Sequence, residues 1–316
     1  MSAPSRLSPT LTARLRTGGD CLTFANRFFR QQGIVQGQGF LDIEEESLTL
    51  LSHATGLAWE ALPTCFTTPL TAKAKDHFLQ LVAQRGLDRT PTAYLVGEAW
   101  LGGLSFHVDP RVIIPRSYFV ELLPEAIPQW LPPVKKIKRV ADVCTGSGCL
   151  AILLAQQFPH AAVHATDLSP EALEVAAINV RKHRLTSRVH LHHTSVLEAL
   201  KGSEPFDLII SNPPYEPEGI YRRLPKEFKK EPKMSLVSGR DGLDVIRALL
   251  PQARDLLQPH GVLVIEVGGL QKSMQKAWPQ LPMLWLATVD GSDCVCLIHA
   301  QDLQQALPSP SPRRRR

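Results

Sequence analysis

No apolar run in this 316-residue chain approaches the length of a membrane span, and its first residues lack a signal-peptide core. Paired cysteines are missing as well. The six cysteines fall at 21, 65, 144, 149, 294 and 296, with no Cys-x-x-Cys and no histidines at zinc-site spacing. A disulfide scaffold and a zinc ribbon are therefore excluded, and no metal site is expected. This is the cysteine usage of a reducing compartment, so a cytoplasmic protein is expected. Aromatic residues are only 6% of the chain, which argues against the stacking surfaces of a nucleic-acid enzyme. Basic charge is scarce too. Of the net +5, four charges belong to Arg313–Arg316, so the remainder is nearly neutral. The first nineteen residues hold Arg6, Arg14 and Arg16 without an acid, but they are weakly amphipathic and read as the start of a helical domain. What is there, 44% hydrophobic and 21% charged, is the composition of a globular protein with room for one large domain or two ordinary ones.

Up to about Gly97 the pattern is helical. LTFANRFFR (22–30), EEESLTLLSHATG (44–56) and LTAKAKDHFLQLVAQRG (70–86) place apolar residues three and four apart, with Gly56 and Gly86 where C-terminal caps are expected. AYLVGEAW, Gly102-Gly103, LSFHV, Asp109-Pro110 and RVIIP then read as short strands and turns, a hairpin joining two domains. From Arg139 strands and helices alternate. Strands are predicted at 139–144, 161–167, 188–193, 206–211 and 261–268; helices at 149–158, from Ser169-Pro170 to about His183, and at 241–257. Continuous apolar strands in this alternation predict a parallel sheet covered on both faces. MLWLATV (283–289) and CVCLIHA (294–300), separated by Asp290-Gly291-Ser292-Asp293, predict a closing antiparallel hairpin with Cys294 and Cys296 buried. A parallel sheet closed this way resembles the class I methyltransferases that use S-adenosylmethionine, a likeness of fold alone.

After the first strand comes Asp142-Val143-Cys144-Thr145-Gly146-Ser147-Gly148. Glycines at a strand-to-helix turn let a ligand approach the backbone and its N–H groups. The third glycine of the dinucleotide fingerprint is absent, which favours a ligand without phosphates. Asp167 ends the second strand twenty-one residues after Gly146, where a carboxylate would accept two ribose hydroxyl protons. Either feature alone is an ordinary turn or cap; together, in register, they predict a cofactor crevice. The third strand leads into Thr194-Ser195-Val196, with Ser195 where such folds often carry an acid for the adenine amine. His190, His192 and His193 are expected to face solvent, because strand alternation puts His193 on the opposite face from the other two.

FDLIIS (206–211) runs into Asn212-Pro213-Pro214-Tyr215. Prolines end the strand and fix the backbone. Asn212 offers a side-chain carbonyl, Pro213 a backbone carbonyl, and Tyr215 an aromatic wall. Two acceptors and a flat wall suit a planar primary amide or amine, and suit a hydroxyl or thiol poorly.

On these motifs the chain resembles the HemK/PrmB glutamine methyltransferases, from about residue 20 to about 303. The glycine turn and Asn-Pro-Pro-Tyr establish only the broad group of amine methyltransferases. TAYLVGEAWLGGLSFHVDPRVIIPRS (92–117), with Arg116, and LPKEFKKEPKMSLVSGRDGLD (224–244) narrow it, and Ser117 and Glu266-Val267-Gly268 look closest to the PrmB branch. The resemblance implies a seven-stranded, mostly parallel Rossmann-like sheet with an antiparallel last strand and a small helical N-terminal domain. It implies a helical substrate-recognition domain at 1–97, a hairpin linker at 98–115, a methyltransferase domain at 116–305 and an Arg-rich tail at 306–316. S-adenosylmethionine would be lined by Asp142, Cys144–Gly148, Asp167, Leu168, Ser195, Val196 and Asn212. Asn212–Tyr215 would hold a glutamine amide, with Arg116 on the substrate segment. The expected acceptor is a glutamine of the third large-subunit ribosomal protein, with a release factor as the alternative. Nucleic acid is not required for this chemistry. An adenine methyltransferase and a non-catalytic assembly factor are the other readings. Against the first stand Glu227 and Glu231, which interrupt the basic residues of 222–233; against the second stands a site with every motif intact.

Overall fold

A computed structural model describes residues 7–292 and 294–307; residues 308–316 of the expected tail and Asp293 lie outside the described residues, whereas Ala306, placed in that tail by the sequence, ends a helix over Ala300–Ala306. The chain divides into two compact units. One holds the residues up to Ala99 with Val108–Pro110 and Leu224–Glu231; the other holds Trp100–His107, Arg111–Arg223 and the residues from Pro232 onward.

The first unit is helical. Thr17 and Asp20 form a capping box, with Asp20 N–H on the Thr17 hydroxyl and Thr17 N–H on the Asp20 carboxylate, and start α1 (Gly18–Gln32). Asp42 caps α2 (Ile43–Thr55), and α3 (Ala72–Gly86) packs with both around Phe24, Phe29, Leu50, Leu51 and Phe78. Gly86 is not the expected left-handed cap. It lies inside α3 because the Phe28 ring fills the space where a Cβ would stand, 2.3 Å from Cε1. Residues 93–96, expected to be extended, form α4 (Thr92–Val96), closed by Gly97 at φ +72°. Beneath these helices lies a buried ionic network. Arg85 Nε donates to Glu46 at 2.6 Å, Thr92 donates to the same carboxylate at 2.8 Å, and Arg89 pairs with Glu227 at 3.0 Å.

The hairpin consists of β1 (Glu98–Leu101) and β2 (Leu104–His107), and RVIIP is irregular rather than extended. Then the alternation unfolds: β3 (Arg139–Val143), α5 (Cys149–Gln157), β4 (Ala162–Asp167), α6 (Pro170–Lys182), β5 (Val189–His193), β6 (Phe206–Ser211), α7 (Asp244–Leu256), β7 (Leu257–Glu266), β8 (Leu284–Trp285) and β9 (Val295–His299). The seven strands from β3 order as β5-β4-β3-β6-β7-β9-β8, parallel except where β9 runs antiparallel to β7 and β8. This is the class I methyltransferase fold. Alternate residues feed two cores: Val140, Leu208, Ile210 and Val264 point to one face, and Ala141, Ile209, Leu263 and Ile265 to the other. Both faces are covered, so these strands read as continuous apolar runs.

Two strand expectations need correction. The strand over 283–289 shrinks to Leu284–Trp285, because Thr288 turns the chain by bonding Asp290 and Ser292. His190 and His193 are exposed as expected, but His192 is half-buried. The parallel pairing of β4 with β5 stacks its ring on His164, with ring centroids 5.2 Å apart and nitrogens 3.0 Å apart. Burial first, then the Arg139 charge, pushes His164 down to about 4, so that imidazole is neutral. Among the described residues no helix is long and apolar enough to cross a membrane.

Candidate active site

Register decides which residues meet. Val143 pairs with both Thr166 and Ser211, Asp167 with His193, and Ser211 with Ile265. The residues that follow therefore share the carboxyl edge of the sheet, where open α/β folds bind ligands.

Cys144 leaves β3 at φ +64°, an uncommon conformation for a side chain with a Cβ. The turn is braced from behind. Buried Asp142 accepts the Thr145 hydroxyl at 2.5 Å, and Thr145 N–H reaches the Thr166 carbonyl at 2.9 Å. Asn179 of α6 donates to the carbonyls of Ser147 and His107 at 2.9 and 3.0 Å. Gly148, at φ +79°, sits where a Cβ would meet Ala176 at 3.1 Å. Cys144 and Gly146 face the cavity; Asp142, Thr145, Ser147 and Gly148 stand behind it as supports. Burial, then the charges of Asp167 and Asp142, pushes the Cys144 thiol up, which keeps it neutral and a poor nucleophile.

Asp167 accepts N–H groups from Gly146 at 2.8 Å and Ser169 at 2.9 Å, leaving lone pairs on both oxygens for a ligand. Burial raises its pKa against those backbone bonds. Leu168, Ser195 and Val196 line the same cavity, with Val196 at φ +54°.

Asn212 and Pro214 border the cavity from β6. Pro213 is buried, and Tyr215 packs beside Gly268, whose missing Cβ would stand 2.7 Å from the ring. Burial, then the Glu266 charge, pushes the Tyr215 phenol up, so it is a neutral wall. Arg116 meets the site through its backbone: its carbonyl accepts from Asn212 Nδ2 at 3.3 Å. The segment after Tyr215 is tied back by Glu216, which exchanges backbone bonds with Leu236 and Ser238 at 2.7 and 3.0 Å.

Several lining residues escaped the sequence reading. Ile113 closes over Gly146, with 3.7 Å to a Cβ built there, and Thr166 brings a buried hydroxyl that has no protein partner. Pro232, Met234, Ser235 and Val237 reach the cavity through the Glu216 tether, which no periodicity announces. Glu266 ends β7. It is buried beside Asn212 and accepts from the Ser117 hydroxyl at 2.6 Å and Tyr118 N–H at 3.0 Å.

The cavity encloses about 280 Å³, close to the lower end of small-molecule sites at roughly 300 Å³. It is lined by one carboxylate, several Ser and Thr residues and apolar walls. Arg111, the one cation on its rim among the described residues, pairs with Glu174 at 2.7 Å. That fits a nucleoside carrying a sulfonium, and suits a polyphosphate poorly. Residues 20–97 match the PrmC N-terminal domain and residues 121–239 the methyltransferase small domain. The ribosomal protein uL3 glutamine methyltransferase of Neisseria meningitidis is 39% identical over 92% of this chain and 95% of its own. That of Bordetella pertussis is 38% identical, covering 92% of this chain and 97% of its own. The chain belongs to the HemK/PrmB family of glutamine methyltransferases. As a member of that family it is an S-adenosylmethionine-dependent protein-glutamine methyltransferase. When bound, the cofactor supplies an electrophilic methyl group.

Proposed function

We propose that this methyltransferase modifies the side-chain nitrogen of a glutamine in ribosomal protein uL3, in the cytoplasm. The observation that carries the reading is near full-length similarity, at 38–39% identity, to proteins described as uL3 glutamine methyltransferases. Asn212 and Pro214 at the cavity rim support it. An amide nitrogen is a weak nucleophile because its lone pair is delocalised. Asn212 Oδ1 and the Pro213 carbonyl accept its two N–H groups and aim the lone pair, so no strong base is required. Tyr215 walls the amide, and Arg116 holds the flanking substrate chain. Asp167, the Cys144–Gly148 turn and the Leu168, Ser195 and Val196 walls hold the cofactor, with Asp142 behind them. The helical unit reads the protein substrate. Six free cysteines, five of them buried, suit a reducing cytoplasm.

The test is incubation of the purified enzyme with methyl-labelled S-adenosylmethionine and either uL3 or a release factor, with the methylated residue mapped by mass spectrometry. Label on a uL3 glutamine is expected; label on the release factor alone overturns the substrate. Asn212→Ala should lower kcat by on the order of 100-fold or more with cofactor affinity within a few-fold. Retained turnover would remove Asn212 from the chemistry.

A further inference from the structure

An asparagine side chain can face a substrate with either its oxygen or its nitrogen, and only the oxygen helps an incoming amide. The surroundings of Asn212 are one-sided. Its Nδ2 donates to the Arg116 carbonyl at 3.3 Å. The Glu266 carboxylate, clamped on Ser117 and Tyr118 next to that carbonyl, stands beside Asn212 as a further acceptor, and when ionised it accepts protons only. Both partners lie on the protein side, while Asn212 borders the cavity. Glu266 is itself immobilised by the Ser117 hydroxyl at 2.6 Å and Tyr118 N–H at 3.0 Å.

We propose that Glu266 is a positioning residue that fixes the orientation of the Asn212 amide, turning Nδ2 toward the protein and Oδ1 toward the substrate glutamine. The catalytic part of this statement rests on the glutamine reading above; the orientation of Asn212 does not. Ionised Glu266 permits one orientation. A protonated carboxyl can donate as well as accept, so it pairs with either end of the amide and the selection weakens to that of the Arg116 carbonyl alone. Burial pushes Glu266 up to about 7, opposed by its bonds to Ser117 and Tyr118 and by the Arg116 charge. The other titratable groups around it are Tyr215 and Cys294, both pushed upward by burial and therefore neutral here. Glu266 is the member of this group that changes charge near neutrality.

The experiment combines spectroscopy with turnover. In protein labelled with ¹⁵N-asparagine, the Asn212 side-chain amide is assigned by its disappearance in Asn212→Ala. It should shift in one step near neutral pH in the wild type, and the step should vanish in Glu266→Gln. With uL3 as substrate, Glu266→Gln should lower kcat by on the order of 100-fold, leave KM within a few-fold, and lose the acid limb of the pH profile. Glu266→Asp, which keeps the charge, should recover part of kcat. An Asn212 amide that does not titrate in the wild type, or that titrates alike in Glu266→Gln, overturns the proposal. So does wild-type kcat in Glu266→Gln. If the wild type fails to methylate uL3, the substrate reading falls while the amide titration still decides the orientation.

Discussion

The Asp167 carboxylate and the Gly146 N–H meet at 2.8 Å, joining the end of β4 to the turn after β3. The same carboxylate takes the Ser169 N–H that opens α6. Asp167 therefore shapes the cavity wall that it lines.

Asp167→Asn keeps the shape but replaces one acceptor oxygen with a donor. Loss of charge-assisted bonds of roughly 1.5–3 kcal/mol should weaken S-adenosylmethionine binding by on the order of 10- to 100-fold, measured calorimetrically. Unaltered affinity would rule out a ribose-holding role.

Gly268 stands at φ +52° with the Tyr215 ring in the place of its Cβ. Gly268→Ala must displace that ring. Since misplacement of about 1 Å can cost on the order of 100-fold in rate, kcat/KM for the protein substrate should fall at least tenfold. Cofactor affinity should hold. Equal losses in both would show that the ring serves the cofactor instead.

Arg85 and Glu46 are both almost fully buried in the helical unit. Arg85→Met leaves the Glu46 carboxylate with the Thr92 hydroxyl and the Gln36 amide, and removing one partner of a buried pair costs about 3–5 kcal/mol. Urea unfolding should show that loss, and a second substitution, Glu46→Leu, should recover part of it. No recovery in the double variant would mean that Arg85 acts through packing, not charge.

Asp142 is wholly buried, and desolvation raises its carboxyl from 3.8 to about 7. The folded chain therefore holds this proton more tightly than the unfolded chain does. Its contribution to stability is full below the unfolded value and declines as pH rises toward about 7. Asp142→Asn lacks that slope. Wild-type stability minus variant stability should accordingly shrink between about pH 4 and about pH 7; a constant difference would refute the burial effect.

Much of the site was legible because it is local. The glycine turn, Asp167 and Asn-Pro-Pro-Tyr all sit where an apolar strand stops, and strand alternation with helices already implies that such ends gather on one edge. Ser169-Pro170 announces α6 in the same way, through a side chain and ring that act within one turn. Gly86 shows where that reasoning ends. A glycine near a helix terminus signals a cap when only neighbours in sequence matter, but here the ring of Phe28 claims the space.

By itself, then, the amino-acid order determined the central strands, the start of α6 and the Asn-Pro-Pro-Tyr turn, because hydrophobic period, capping and proline restriction operate over a few residues. Tertiary structure alone decided that Glu266 clamps Ser117 and Tyr118 beside Asn212, that Met234 walls the cavity, and that His192 stacks on His164. Those contacts depend on the register between strands and on a loop tied back at Glu216. Pairings between distant segments are set by the packing of the whole sheet, which no local pattern encodes.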